Sequence, residues 1–155
     1  MDYKIIEAPL CLTLHGIGGR IDERPVTIVG KRLMDAMWQV VQTHSVKTKG
    51  LNHWVYLPNS EMFVGVELGD DLVNGIGTLE KFEVRLPRYL QYLHRGPYST
   101  LPEIWPKLFA ILEQIEEHPL LPNLELYGHW NPDPTQCETT ILIGLTPKRS
   151  IKSKP

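Results

Sequence analysis

The stretch Leu124-Glu125-Leu126-Tyr127-Gly128-His129 alternates aliphatic and functional side chains. Successive strand residues point to opposite faces, so Glu125, Tyr127 and His129 share one face and the leucines the other. The same parity over residues 52–57 sets Asn52, Trp54 and Tyr56 against Val55 and Leu57. Over residues 62–68 it sets Phe63, Gly65 and Glu67 against Val64 and Val66. The aliphatic faces are expected to pack under helices. The other face would then be a groove carrying Trp54, Tyr56, Phe63 and Tyr127 around Glu67 and Glu125, with Gly65 and Gly144 leaving room at its floor. Such a groove suits a flat organic cation, because each ring adds cation–π attraction of about 0.5–2 kcal/mol and a carboxylate supplies the counter-charge. Glu125 or Glu67, set among apolar walls, could also act as general acid or base on water.

Other chemistries lack their residues. The six histidines show no metal-ligand spacing such as H-E-x-x-H, so no metal is expected, and no cofactor. Gly16-Ile17-Gly18-Gly19 lacks the second half of a dinucleotide fingerprint and reads as a turn. Ser45, Ser60 and Ser99 have no nucleophile-elbow context. Cys11 and Cys137 form no disulfide framework and read as small core residues. The net charge of −2 argues against broad electrostatic binding to nucleic acid. No apolar run approaches the roughly 20 residues of a membrane span, and the start of the chain lacks a signal-peptide pattern. The default location is cytoplasmic.

At 155 residues the chain is long enough for one domain with a sizeable core. Its elements fall into two similar halves, about 8–68 and 80–147, within one domain over 1–147. In the first, a strand at Leu10–His15 precedes a helix over 30–43, whose Met34, Met37, Trp38 and Val41 recur at helical spacing. Two strands follow, joined by the turn Pro58-Asn59-Ser60. In the second, residues 82–94 read as one or two strands broken at Pro87. Thr100-Leu101-Pro102-Glu103 has the capping-box form and opens a helix marked by Ile104, Leu108, Ile111 and Ile115, which Pro119 and Pro122 stop. Strands over 124–130 and 139–145 close the half. Trp38 falls opposite Trp105, Tyr56 opposite Tyr127, and Val64-Gly65-Val66 opposite Ile143-Gly144-Leu145. The fold class is therefore α+β: two pseudo-symmetric βαββ repeats sharing an antiparallel sheet, helices on one face and the groove on the other. Residues 69–77 form a linker, and the basic residues of 148–155 a flexible tail.

At Tyr92-Leu93-His94-Arg95-Gly96-Pro97-Tyr98, followed by Leu101-Pro102-Glu103-Ile104-Trp105, the sequence resembles the GyrI-like small-molecule-binding domains. These are also the effector-binding domains of AraC- and MerR-type multidrug regulators, related in fold to SOUL haem-binding proteins. Glu125-Leu126-Tyr127 and the strand ending at Pro147 fit the same pattern, as do Gly16 to Arg20, Trp38 and Val64 to Glu67. The resemblance implies that Glu125 meets a cationic ligand. The candidate contacts are Glu125, Tyr127, Trp54, Tyr56, Phe63, Glu67, Tyr92 and Trp105. The expected partner is an amphipathic or cationic small molecule, bound by a free-standing sensor or sequestering protein. An alternative is hydrolysis of reactive cyclopropane-containing DNA-alkylating compounds by Glu125 or Glu67. Another is restraint of DNA gyrase. The effector-type pattern begins within about 10 residues of Met1, so no helix-turn-helix and no direct DNA binding are expected. Haem binding is a distant fourth, since no histidine stands out as an axial ligand.

Overall fold

Eight strands pair antiparallel into one sheet in the order β1-β6-β8-β7-β3-β4-β2-β5, with two helices packed on it. The computed structural model describes residues 1–69 and 76–148. In chain order the elements are β1 (Tyr3–Ile6), β2 (Leu10–Arg20), α1 (Val26–Thr43), β3 (Asn52–Leu57), β4 (Glu61–Val66), β5 (Glu80–Leu86), β6 (Arg88–Arg95), α2 (Leu101–Gln114), β7 (Pro119–Tyr127) and β8 (Glu138–Leu145). This is the expected α+β class with two related halves. Of the tail, residues beyond Lys148 lie outside the described residues, as do residues 70–75 of the linker. Among the described residues no helix is long and apolar enough to cross a membrane.

The strand order is symmetric about the β3–β7 seam. Exchanging the halves carries β3 to β7, β4 to β8, β2 to β6 and β5 to β1. The outermost strands are swapped: β1, at the start of the first half, pairs with β6, and β5, at the start of the second, pairs with β2. The four residues of β1 carry no alternation that marks them as a strand, so the exchange is silent in the sequence.

Each helix buries one stripe. Val29, Leu33, Met37 and Val41 of α1 meet Trp54, Met62, Val64 and Val66 of the sheet. Leu101, Leu108 and Leu112 of α2 meet Leu90, Ile141, Ile143 and Leu145. The opposite face is covered by the sheet itself. Val55, Leu124 and Leu142 pack against Leu14, Phe63, Val84 and Leu86 of β2, β4 and β5, so the sheet curls until its far edge closes over its middle.

Several local expectations change. α1 starts at Val26, four residues before Gly30, behind Pro25 as N-cap. Gly16 to Gly19 is not a turn but strand, pairing with β4, because Gly16 has no Cβ to strike the Val64 carbonyl. Thr100 makes no capping-box bond. Its hydroxyl donates to the Pro97 carbonyl (2.6 Å), so it accepts from His94 Nε2 (2.8 Å). With one hydroxyl proton committed, His94 must carry its own proton on Nε2. α2 ends at Gln114, before either proline, with Glu116 at φ 60° and the Glu117 N–H closing on the Leu112 carbonyl (2.9 Å), whereas Pro119 and Pro122 lie within β7, at an irregularity in its pairing with β8. Cys137 is buried, as expected, whereas Cys11 is exposed.

Candidate functional site

The seam between β3 and β7 places Trp54 directly opposite Glu125, Asn52 opposite Tyr127 and Tyr56 opposite Asn123. Parity brings all six to one face. That face is the helical one. α1 contributes Val26 and Met34, and α2 contributes Leu101, Trp105 and Phe109, to a cavity of about 810 Å³ between the helices and above the seam. The groove was expected opposite the helices, and this is corrected. The aliphatic face of β3 and β7 packs against the curled sheet, which leaves the gap between the helices open instead.

Glu125 sits at the floor, 4% exposed. Its Oε1 accepts from the hydroxyls of Tyr56 and Tyr127 (Tyr127, 2.9 Å), and its Oε2 accepts from Trp105 Nε1 at 2.8 Å. Burial, and then the facing carboxylate, push both phenols far above the ordinary tyrosine range, so both stay protonated and remain donors. Hydrogen bonds to a charged group contribute roughly 1.5–3 kcal/mol each, which offsets much of the desolvation of a buried carboxylate. No Lys or Arg among the described residues forms an ion pair with it. A carboxylate offers about four acceptor positions. Three are occupied here, and the free one is on Oε2.

The rings form two runs around the carboxylate. Trp54, Tyr127 and Tyr98 meet edge to face at centroid distances of 5.2 and 5.3 Å. Tyr56, Trp105 and Phe109 continue at 5.9 Å per step. Two local rules are broken at Trp54. Its indole N–H is buried without an acceptor among the described residues, a loss of about 1–3 kcal/mol. Its six-membered ring also occupies the place of a side chain on Gly30, whose Cβ would lie 2.2 Å from Cζ3, and a glycine inside a helix costs about 1 kcal/mol relative to alanine.

Of the eight candidate contacts, Glu125, Tyr127, Trp54, Tyr56 and Trp105 line the cavity, and Phe63, Glu67 and Tyr92 do not. Phe63 lies on the other face, stacked on Phe82 at 5.0 Å. Glu67 shares that face, 3.8 Å from His53 and 3.6 Å from Lys49. Parity on β4 already paired Phe63 and Glu67 against the helix-facing Val64 and Val66. Tyr92 packs into the cluster beneath α2. Gly65 and Gly144 are not at the cavity floor either: a Cβ on Gly65 would meet Phe63 and Leu14, and one on Gly144 the carbonyls of Leu120 and Pro122. Sequence reasoning missed Met34, Phe109, Tyr98 and Trp130. Phe109 could have been found one turn beyond Trp105. Trp130, 76% exposed at the mouth, carries no spacing signal.

No protein-family model matches the chain, and no curated protein matches its sequence. Solved structures do match its fold. The structure of SAV2435 bound to tetraphenylphosphonium superposes with a TM-score of 0.68 at 17% identity, covering 94% of each chain. The EcmrR C-terminal domain gives 0.68 at 16%, covering 94% of this chain and 99% of that one. A hydrolase from Listeria innocua gives 0.55 at 11%, covering 94% and 92%. These likenesses establish the fold, and it is the fold that the motif resemblance implies.

Proposed function

We propose that the protein binds an amphipathic, cationic aromatic small molecule between its helices, as a cytoplasmic sensor or sequestering protein, with Glu125 as the counter-charge. One observation carries the reading: a buried carboxylate held by neutral donors, with no Lys or Arg among the described residues in ion-pair contact with it, at the floor of an aromatic cavity whose one lining lysine, Lys31, is paired with Asp35. Such a charge is incompletely compensated until a cation arrives. The fold neighbour SAV2435, solved with tetraphenylphosphonium, supports the ligand class.

Titrating tetraphenylphosphonium into wild type and Glu125→Gln tests this. A cation centre about 6 Å from the carboxylate, at an effective dielectric of about 20, gains about 3 kcal/mol, so the variant should bind roughly 100-fold more weakly. Neutral triphenylphosphine oxide should bind both proteins alike. Equal phosphonium affinity for the two proteins would remove Glu125 from the role.

A second reading is hydrolysis. It draws on the free acceptor position of Glu125 Oε2, which could orient a water, and on the Listeria innocua hydrolase sharing the fold. Incubation with a cyclopropane-containing alkylating compound separates the readings: turnover favours hydrolysis, and stoichiometric protection without product favours binding.

A further inference from the structure

The two halves differ where the cavity is most sharply defined. Counted from the helix starts, Val26, Gly30 and Met34 of α1 correspond to Leu101, Trp105 and Phe109 of α2. The buried Leu33 and Met37 correspond in the same way to Leu108 and Leu112. The counterpart of Trp105 is thus Gly30, not Trp38, whose N–H is taken by Asn52 Oδ1 at 2.6 Å. On the strands, the seam that sets Trp54 against Glu125 makes Asn52 correspond to Asn123, Trp54 to Glu125 and Tyr56 to Tyr127. Each half therefore has one tryptophan where its helix crosses the seam strand, on opposite partners. In the second half the helix supplies Trp105 and the strand supplies a carboxylate. In the first half the strand supplies Trp54 and the helix supplies only the space above Gly30.

We infer that Trp54, seated by Gly30, is a specificity-determining residue that restricts the cavity to singly charged cations and rejects dications. The inference rests on the reading of Glu125 as counter-charge. The symmetric floor has room for two acids and holds one. A second positive charge would lie against the indole where a carboxylate would otherwise be. An indole attracts a cation far less than a carboxylate does, so the desolvation of that second charge is compensated only in part. The mid-helix glycine that seats Trp54 and the indole N–H without an acceptor among the described residues agree with a residue retained for what it excludes, because broken local rules concentrate at functional sites. Gly30 is a positioning residue: a Cβ there would lie 2.2 Å from Trp54 Cζ3, so any side chain must displace the indole.

The test compares two probes of one skeleton, two triphenylphosphorus groups on an arylene bridge. One carries two phosphonium centres, and the other one phosphonium and one neutral phosphine oxide. Wild type should favour the singly charged probe by about tenfold or more, and Trp54→Glu should erase or reverse that preference. Gly30→Ala should weaken the singly charged probe about fivefold in wild type and change nothing in a Trp54→Leu background, a coupling that a general effect on the helix would not produce. Should Trp54→Glu not fold, the wild-type preference and the Gly30–Trp54 cycle decide. Equal wild-type affinity for both probes, with Glu125-dependent binding of tetraphenylphosphonium intact, overturns this inference alone. So do a preference unmoved in folded Trp54→Glu and an additive cycle. No binding of any cation overturns the reading of the cavity together with it.

Discussion

Arg88→Met should be among the most damaging single changes outside the cavity. The Arg88 side chain is 6% exposed, and all five of its N–H donors are used. Nε and Nη2 meet Glu7 at 2.6 and 3.0 Å, Nη1 and Nη2 meet Glu117 at 2.8 and 2.9 Å, and Nη1 also meets the Thr146 carbonyl at 3.0 Å. The cluster thus joins the end of the exchanged β1, the start of β6, the turn after α2 and the end of β8. Methionine fills much of the same volume but leaves Glu117, whose side chain is 16% exposed, without its counter-charge. Removing one partner of a buried pair costs about 3–5 kcal/mol, whereas the half-exposed Glu7 returns to water at little loss. At about 2–4 °C per kcal/mol for a chain of this size, the melting temperature should fall by about 6–20 °C. Urea unfolding followed by circular dichroism measures the change, with an unaltered m-value showing that the unfolded state is unchanged. Arg88→Met with Glu117→Leu should recover part of the loss, since the orphaned charge is gone. A loss below about 1 kcal/mol, or a double variant no better than the single, would refute the reasoning.

Acid should act through the same cluster. Hydrogen bonding to Arg88 lowers Glu7 from its ordinary 4.5 to about 2 and also lowers Glu117. Acids depressed in the folded state contribute stability above their unfolded value that is lost as pH falls through the folded one, so urea midpoints should drop between about pH 4.5 and 2 and drop less in Glu7→Gln. Gly16→Ala should destabilise by about 1–3 kcal/mol or more, because its Cβ would lie 1.9 Å from the Val64 carbonyl oxygen and 2.6 Å from Gly65 Cα, both backbone atoms. Gly18→Ala, whose nearest neighbour would be 3.5 Å away, should be neutral or better in the same urea series.

Local patterns made much of the fold and part of the site legible. Alternation on β3 and β7 correctly grouped Trp54 and Tyr56, and Glu125 and Tyr127, each pair on one side of its strand. It could not say which side meets the helices, because both sides carry large apolar groups, aromatic rings beside Asn52, Asn123 and Glu125 on one and aliphatic chains on the other. Only the curl of the sheet, a property of all eight strands, buries Val55 and Leu124 against β2 and β5. Phe63 and Glu67 were misplaced for the same reason: β4 was sorted correctly within itself and then joined to the wrong side of its neighbours. The Arg88 cluster spans sequence separations of 81 and 29 residues and leaves no local trace. Trp38 matched Trp105 by residue type, whereas the helix starts and buried stripes pair Trp105 with Gly30. Identity of residues was the weaker guide to symmetry.

That asymmetry bears on how a duplicated fold acquires one ligand. Two equal halves meeting at a seam would present equal groups to anything bound on the axis. Here Asn52 and Asn123, and Tyr56 and Tyr127, keep the equality, and Trp54 and Glu125 break it. The phenols Tyr56 and Tyr127 come from opposite halves, yet both donate to Glu125. The first half has therefore not lost its share of the site; it donates a hydrogen bond to the other half's carboxylate and sets Trp54 at the position equivalent to Glu125. The stabilising elements most independent of that arrangement, the aliphatic layer within the curl and the Arg88 cluster, lie away from the cavity lining. A cavity that contains a buried carboxylate, an indole N–H without an acceptor among the described residues and a mid-helix glycine can persist because the rest of the domain holds the seam closed around it.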